Sequence, residues 1–294
     1  MTKHRQYLLN FRSLDPEAKF GFHAAPFTGV RNVPSLLIGI ALTAVFYGAL
    51  YPLFLPRKWQ MVDMFFPREE NGYSTIPIFT VLLAGWCLGF LWLKKKKLKL
   101  QRRALDINLA PENWENNYVI SPQNAPEILH RLHMQICTCD DFLLLHRVEC
   151  ALSNLKNIGR IADVSTILND IAEDDANYTE STYTLPKGLI WAIPVIGFIG
   201  TVLGLSQAVG GFGKVVAGGA DLTKLKDALG GVTGGLATAF ETTLIALVAA
   251  LVIQLLMTLV TQKEEEFLND CTAYCQRNIT ARLKMLDTGD EFGE

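Results

Sequence analysis

The chain has 294 residues, of which 50% are hydrophobic and only 19% are charged. This composition is too apolar for an ordinary soluble protein of this length, so we expect a membrane protein. The formal net charge of -2 excludes nothing, because basic and acidic residues are segregated along the chain.

Four apolar segments are long enough to cross a bilayer, which takes about 20 residues. They cover residues 34–55, 76–93, 189–209 and 235–260. Patterns of alternating polarity, typical of half-buried strands, are absent. The predicted fold class is therefore an all-α, polytopic membrane protein with four transmembrane helices. No cleavable signal peptide is indicated, since the first apolar segment is too long for one.

The spans divide the chain into five parts. These are an N-terminal arm (1–32), the first two spans (33–93), a helical domain (94–187), the last two spans (188–262) and a C-terminal helix and tail (263–294). We expect the fourth span to continue past the membrane into this last part as one long helix.

Basic residues beside the second span predict the orientation of the chain. Lys94–Lys97 follow this span directly, whereas the loop before it balances basic against acidic residues. The excess of positive charge favours a cytoplasmic position, and four spans then place both termini in the cytoplasm. We interpret the lysine run as a stop-transfer signal, with binding of anionic membrane lipid as the alternative.

Residues 94–187 show the spacing of at least three helices. Asn124, followed three residues later by Glu127, resembles a helix start. Apolar positions then follow helical spacing, in sets that include Leu145, Val148, Leu152 and Leu155 for one helix and Ile161, Val164, Leu168 and Ile171 for another. The segment is therefore predicted to be a small helical domain.

The same domain contains histidines and cysteines at helical spacing. They are His130, His133, Cys137, His146 and Cys150. Their spacing matches no closed zinc pattern, and packing or surface roles account for them more simply. We predict no metal site and no bound cofactor.

Spans three and four carry small residues at the spacing that allows close helix packing. Pro194 lies one turn into span three, where a proline is expected to bend the helix. The predicted helix-packing residues are Pro194, Gly197, Gly200, Gly204, Gly235 and Ala239. Between these spans, residues 210–234 are rich in glycine and are predicted to form an external loop with a short amphipathic helix near Leu222–Leu229.

The last two spans also contain polar side chains, which lipid penalises. A carboxylate at membrane depth costs about 2.5–3.5 kcal/mol on insertion scales, so it normally faces protein or water. The predicted ion-path or partner-facing residues are Thr201, Ser206, Thr238, Glu241, Thr242 and Thr243. Two alternatives stay open: a threonine that bonds only to its own helix, and a purely structural role for Glu241.

Counting along the helices suggests how the threonines are arranged. With a rise of about 1.5 Å per residue, Thr201 and Thr238 come out at similar depths below the outer surface. We therefore expect them to face each other across an antiparallel helix pair. Glu241 and Thr242 follow Thr238 on the same helical face.

These spans resemble those of the MotA/TolQ/ExbB proton-channel family. The resemblance rests on Trp191-Ala-Ile-Pro194, on Gly197-Phe-Ile-Gly-Thr-Val-Leu-Gly204 and on Leu236-Ala-Thr-Ala239. The order of two spans, a cytoplasmic segment and two further spans is similar to MotA, whereas TolQ and ExbB have a single span first.

The resemblance implies a homopentamer in the bacterial cytoplasmic membrane. The ring would enclose a dimer of a single-span partner of the MotB/TolR/ExbD kind, whose membrane aspartate carries the proton. Thr201 and Thr238 match the pore-lining threonines of the family. The chain departs from TolQ and ExbB at Thr233, where those proteins carry a glutamate, and Glu241 lies about two turns farther along.

The expected function is that of a ring subunit in an ion-driven membrane motor, with H⁺ as the expected ion and Na⁺ as an open choice. The alternative is a self-sufficient cation channel or transporter. A membrane enzyme is disfavoured, because no nucleophile–base set, metal motif or nucleotide fingerprint is evident. No nucleic-acid partner is expected, and the sequence does not indicate what the motor drives.

Overall fold

The computed structural model describes residues 11–19, 21–22, 25–54, 65, 75–106, 119–135, 141–155, 161–218 and 222–284. Regular structure within these ranges is helical, apart from an isolated parallel bridge between Ile120 and Leu283. The predicted all-α class is confirmed.

The helices are α1 (Phe11–Leu14), α2 (Pro16–Lys19), α3 (Asn32–Phe54), α4 (Ile76–Arg102), α5 (Ala125–Gln135), α6 (Leu143–Ser153), α7 (Ile161–Ser181), α8 (Thr184–Ala217) and α9 (Leu222–Asn278). A 3₁₀ turn follows α4 at Arg103–Asp106, and another follows α9 at Thr280–Arg282. Four helical stretches, containing α3, α4, α8 and α9, are long and apolar enough to cross a membrane. The chain is a multi-pass membrane protein.

The chain divides into two compact units. The first, which we call the polar unit, comprises the described residues of Met1–Arg31, Leu93–Thr182 and Val260–Glu294. The second, the membrane unit, comprises those of Asn32–Trp92 and Tyr183–Leu259. Helices α4 and α9 contribute residues to both units.

In the membrane unit, α3 and α4 pack closely through small residues. A methyl group added at Gly39 would lie 2.6 Å from the Trp86 Cα atom, and one added at Gly89 would lie 2.8 Å from the Ser35 carbonyl oxygen. The Trp86 indole N–H also donates to Ser35 Oγ at 3.1 Å. Close packing through small residues was predicted only for the last two spans.

The predicted external loop at residues 210–234 is wrong in most of its length. Helix α8 continues to Ala217, and α9 begins at Leu222, so only residues 218–221 separate the two helices. The expected short helix near Leu222–Leu229 is the first part of α9. A helix satisfies its backbone N–H and C=O groups internally, and this outweighs the cost of about 1 kcal/mol for each helical glycine.

Helix α9 runs unbroken past residue 260 to Asn278, as predicted for the extension of the fourth span. In the polar unit its buried face packs in a core with side chains from α4, α6 and α7. The members from α9 and the segment after it are Phe267, Cys271, Cys275, Ile279 and Leu283. Tyr274 is partly buried and packs against this core.

The smaller helices of the polar unit follow the sequence pattern. Helix α5 begins directly after Asn124, whose side-chain oxygen accepts the Ser121 N–H at 2.8 Å. The Glu127 carboxylate accepts a hydrogen bond from Arg131 Nη2 at 3.3 Å, and the Glu127 backbone N–H donates to the Asn124 carbonyl at 3.0 Å. The predicted apolar positions of α6, including Leu145 and Val148, are buried in the core.

Candidate functional site

Helices α8 and α9 meet along a seam of small residues in the membrane unit. A methyl group added at Gly197 would lie 2.5 Å from the Ala246 Cβ atom. One added at Gly200 would lie 2.6 Å from Thr242 Oγ1. Such distances leave no room for a larger side chain, so the backbones of the two helices approach closely here.

The seam continues toward the end of α8. A methyl group at Gly204 would lie 3.0 Å from the Gly235 carbonyl oxygen and 3.1 Å from the Ala239 Cβ atom, and one at Gly235 would lie 2.9 Å from the Ala208 Cβ atom. The predicted small residues therefore pack between the two helices. Pro194 lies inside α8 without ending it, so the Ile190 carbonyl lacks its usual intrahelical donor.

These contacts fix the antiparallel register of the two helices. Gly200 lies opposite Thr242, and Gly204 lies opposite Ala239. Thr201 is then level with Thr242, and Thr238 lies about one helical turn away along the pair. The expectation that Thr201 and Thr238 face each other directly is wrong, because it was counted from helix ends that the structure places elsewhere.

Three of the candidate threonines bond to carbonyls of their own helix. Thr201 Oγ1 donates to the Phe198 carbonyl at 2.6 Å. Thr238 donates to the Gly234 carbonyl at 3.1 Å, and Thr242 donates to the Ala239 carbonyl at 2.9 Å. In each case the hydroxyl proton is used, and the oxygen keeps lone pairs that can accept another hydrogen bond.

Thr243 differs, because its hydroxyl joins the two helices. Its Oγ1 atom donates to the Gly197 carbonyl of α8 at 2.9 Å. A hydrogen bond of this kind between membrane helices is worth about 0.6 kcal/mol on average. Thr243 therefore helps to hold the helix pair together.

The candidate residues differ in how accessible they are. Thr242 is 3% exposed and fills the space beside Gly200. Thr201, Thr238 and Glu241 are half-buried, so each presents some surface beyond its own helix pair, and Ser206 is exposed.

The comparison with known proteins bears directly on this helix pair. A model of the MotA/TolQ/ExbB proton channel family matches residues 146–272. Residues 146–272 are therefore similar to the members of this family. The family segment contains α8, the membrane part of α9 and every candidate ion-path residue, and it supports an ion-driven function of the motor type. No curated protein and no solved structure matches the chain.

The two ends of the family segment meet in the polar unit. Arg147 Nε donates to Asp175 Oδ2 at 2.6 Å, and Arg147 Nη1 donates to Thr272 Oγ1 at 3.0 Å. Burial raises the pKa of the Asp175 carboxyl, although Arg147 opposes this effect. No local sequence pattern indicates this contact, because its members lie far apart along the chain.

Buried ion pairs also surround the lysine run. Lys94 Nζ lies 3.3 Å from Glu264 Oε2, and Lys97 Nζ lies 2.7 Å from Glu17 Oε2 and 3.3 Å from Asp15 Oδ2. All five side chains are at most 1% exposed. Burial raises the pKa of the Asp15 carboxyl and outweighs the neighbouring Lys97 charge. Neither interpretation of the lysine run foresaw these pairs.

Glu17 is the centre of the contact between the N-terminal segment and α4. Its two carboxylate oxygens accept the backbone N–H groups of Ala25 at 3.0 Å and Arg31 at 2.8 Å. Lys97 also donates to the Gly29 carbonyl at 2.8 Å. The described part of the N-terminal arm is thus an integral part of the polar unit.

The histidines and cysteines that resemble metal ligands make other contacts. His133 Nε2 lies 3.0 Å from Glu149 Oε1, and the His146 Nε2 atom lies 3.6 Å from Cys150 Sγ. Within the ranges that the structure describes, no three such residues converge as a metal site would require. Cys137 lies outside these ranges.

Proposed function

We propose that the chain is the ring subunit of an ion-driven, and specifically proton-driven, motor in the bacterial cytoplasmic membrane. Five copies enclose a dimer of a single-span partner that carries a membrane aspartate. The observation that carries this proposal is the closely packed α8–α9 pair of the family segment, with half-buried threonine hydroxyls at Thr201 and Thr238.

The threonine geometry suits a path for protons. Thr201 and Thr238 donate their hydroxyl protons to carbonyls of their own helices. Each hydroxyl oxygen can therefore accept a hydrogen bond from another group in the path. A protonated partner carboxyl or a hydrated proton needs such acceptors. A dehydrating cation such as Na⁺ would use the same oxygens.

The exposed surfaces of the helix pair support assembly around an axis. Large apolar side chains, including Phe198 and Phe240, are each 64% exposed in the single chain. In a membrane such surfaces contact lipid or other copies. In a ring, the outer surface of each helix pair contacts lipid, and its sides contact neighbouring copies.

The energetics of such a motor depend on the partner's carboxyl. One elementary charge that crosses 100 mV releases about 2.3 kcal/mol. Protonation of the partner's aspartate removes its preference for one polar position on the ring, so that ring and partner can step past each other. Both termini of the ring subunit lie in the cytoplasm in this arrangement.

Thr242 and Thr243 have a different role in this proposal. The first is buried beside Gly200 and the second bonds to the Gly197 carbonyl, so both stabilise the helix pair. Glu241 lies on α9 one turn from Thr238 and is half-buried. We assign it to the partner-facing surface, in place of the glutamate that TolQ and ExbB carry where this chain has Thr233.

The experiment replaces both hydroxyls by methyl groups of similar size. Full-length chain is reconstituted into liposomes together with its partner, and proton uptake is measured under an imposed membrane potential. Thr201→Val with Thr238→Val is expected to reduce proton uptake at least tenfold, while the complex with the partner still forms.

Thr258→Val is the matched control. Thr258 makes the same kind of bond to its own helix, donating to the Gln254 carbonyl at 3.0 Å, but is exposed elsewhere on α9. Unchanged uptake in the double variant would contradict the proposed path. Wild-type uptake in liposomes that lack any partner would instead favour a self-sufficient channel or transporter.

A further inference from the structure

The basic residues at the end of α4 separate onto two faces. Lys94 and Lys97 point inward and are fully buried in ion pairs. Three other basic residues are exposed and form a second set, which we call the outward basic face: Lys95, Lys99 and Arg103. The lysine run thus combines structural charges with charges that face the surroundings.

The outward basic face is compact. At 3.6 residues per turn Lys95 and Lys99 lie about 40° apart around α4, and Arg103 begins the 3₁₀ turn that follows, about 12 Å from Lys95 along the axis. The neighbouring Arg102 is not part of it, because Arg102 donates to the Lys263 carbonyl and lies near Glu266 and Asp270. Three positive charges therefore lie close together on one exposed surface.

Helix continuity places this face near the membrane surface. Helix α4 runs unbroken from its apolar part into the basic residues. Trp92, one turn before Lys96, is 46% exposed, and tryptophan favours the depth of the lipid headgroups. We therefore expect the Lys95 ammonium group, about 4.5 Å past Trp92 along the helix axis, at the depth of the phospholipid phosphates, and Lys99 and Arg103 farther toward the aqueous side.

We propose that the outward basic face binds the headgroups of anionic phospholipids. The charge is complementary, and the apolar helix before it fixes the face at the right depth. Each basic residue near an anionic membrane surface contributes about fivefold in affinity. A stop-transfer role needs positive charge only during insertion, whereas this proposal predicts lasting binding. It does not depend on the proposed motor function.

The test uses the full-length protein in a mild detergent. Binding of phosphatidylglycerol and of phosphatidylcholine is titrated separately and counted by native mass spectrometry. We expect the wild-type protein to bind phosphatidylglycerol more tightly. Replacing three charges, in Lys95→Gln with Lys99→Gln and Arg103→Gln, should weaken phosphatidylglycerol binding by about a hundredfold and leave phosphatidylcholine binding unchanged.

A control variant removes the same number of charges elsewhere. It combines Arg131→Gln, Arg277→Gln and Lys284→Gln, and it should bind phosphatidylglycerol as the wild type does. A second control, Lys95→Arg with Lys99→Arg, keeps the charge and should keep the binding. The proposal would be overturned if the first control lost as much phosphatidylglycerol binding as the triple variant. It would also be overturned if the second control lost phosphatidylglycerol binding.

Two competitors test whether the outward basic face binds a different source of negative charge in place of the lipid. Inorganic phosphate and polyglutamate are each added as competitors of phosphatidylglycerol. We expect neither to displace the lipid at equal charge concentration. Displacement by phosphate would overturn the proposal in favour of a free anion site, and displacement by polyglutamate would overturn it in favour of an acidic protein. Unchanged lipid binding in the triple variant would also overturn it.

Discussion

At the scale of single residues, the α8–α9 pair depends on the absence of side chains. Gly197 receives the Ala246 methyl group and also offers its carbonyl oxygen to Thr243. One position thus provides both the close contact and the hydrogen bond between the helices. Any added atom at this position has to push the helices apart.

We predict that Gly197→Ala destabilises the membrane unit by about 1–3 kcal/mol, as overpacking does elsewhere. Thermal unfolding of the full-length protein in detergent measures the effect. Gly210→Ala is the control, because a methyl group there meets nothing within 4 Å. Alanine favours a helix over glycine by about 1 kcal/mol, so the control should be at least as stable as the wild type.

The individual threonines show where sequence reasoning reaches its limit. The motifs around Thr201 and Thr238 predicted that the last two spans resemble a known family. The family match covers these spans. Their relative height could not be derived, because it depends on where the connection between the helices begins. Glycines suggested a long loop there, and the structure has helix instead.

At the scale of elements, α4 is held to the rest of the polar unit by buried charges. Lys94 pairs with Glu264 of α9 and also donates to Thr182 Oγ1 at 2.5 Å. The pattern of lysines predicted an end to the span, but not that half of the run faces inward. That division depends on acidic residues far away in the sequence, which no local pattern reveals.

We predict that Lys94→Met destabilises the polar unit by about 3–5 kcal/mol, because it removes the positive charge that lies 3.3 Å from the buried Glu264 carboxylate. The double variant Lys94→Met with Glu264→Leu should recover most of this loss. Denaturant unfolding of the three proteins measures the difference. A double variant as unstable as the single one would show that the pair is not the cause.

At the scale of the whole molecule, apolar length and helical spacing were enough to predict four spans, a helical domain and a fourth span that continues as helix. The close α3–α4 contact through Gly39 and the Arg147–Asp175 pair were not predicted, since both depend on tertiary contacts. The exposed apolar side chains of the membrane unit are the surfaces on which the proposed partners would bind: lipid, further copies and a single-span protein.

The most direct measurement of the central claim is a cryo-electron microscopy reconstruction of the full-length chain with its partner in a lipid nanodisc. We predict five copies around two partner helices, with Thr201 and Thr238 on the inner wall of the ring. A single copy without a central passage, or threonine hydroxyls directed toward the acyl chains, would contradict the account.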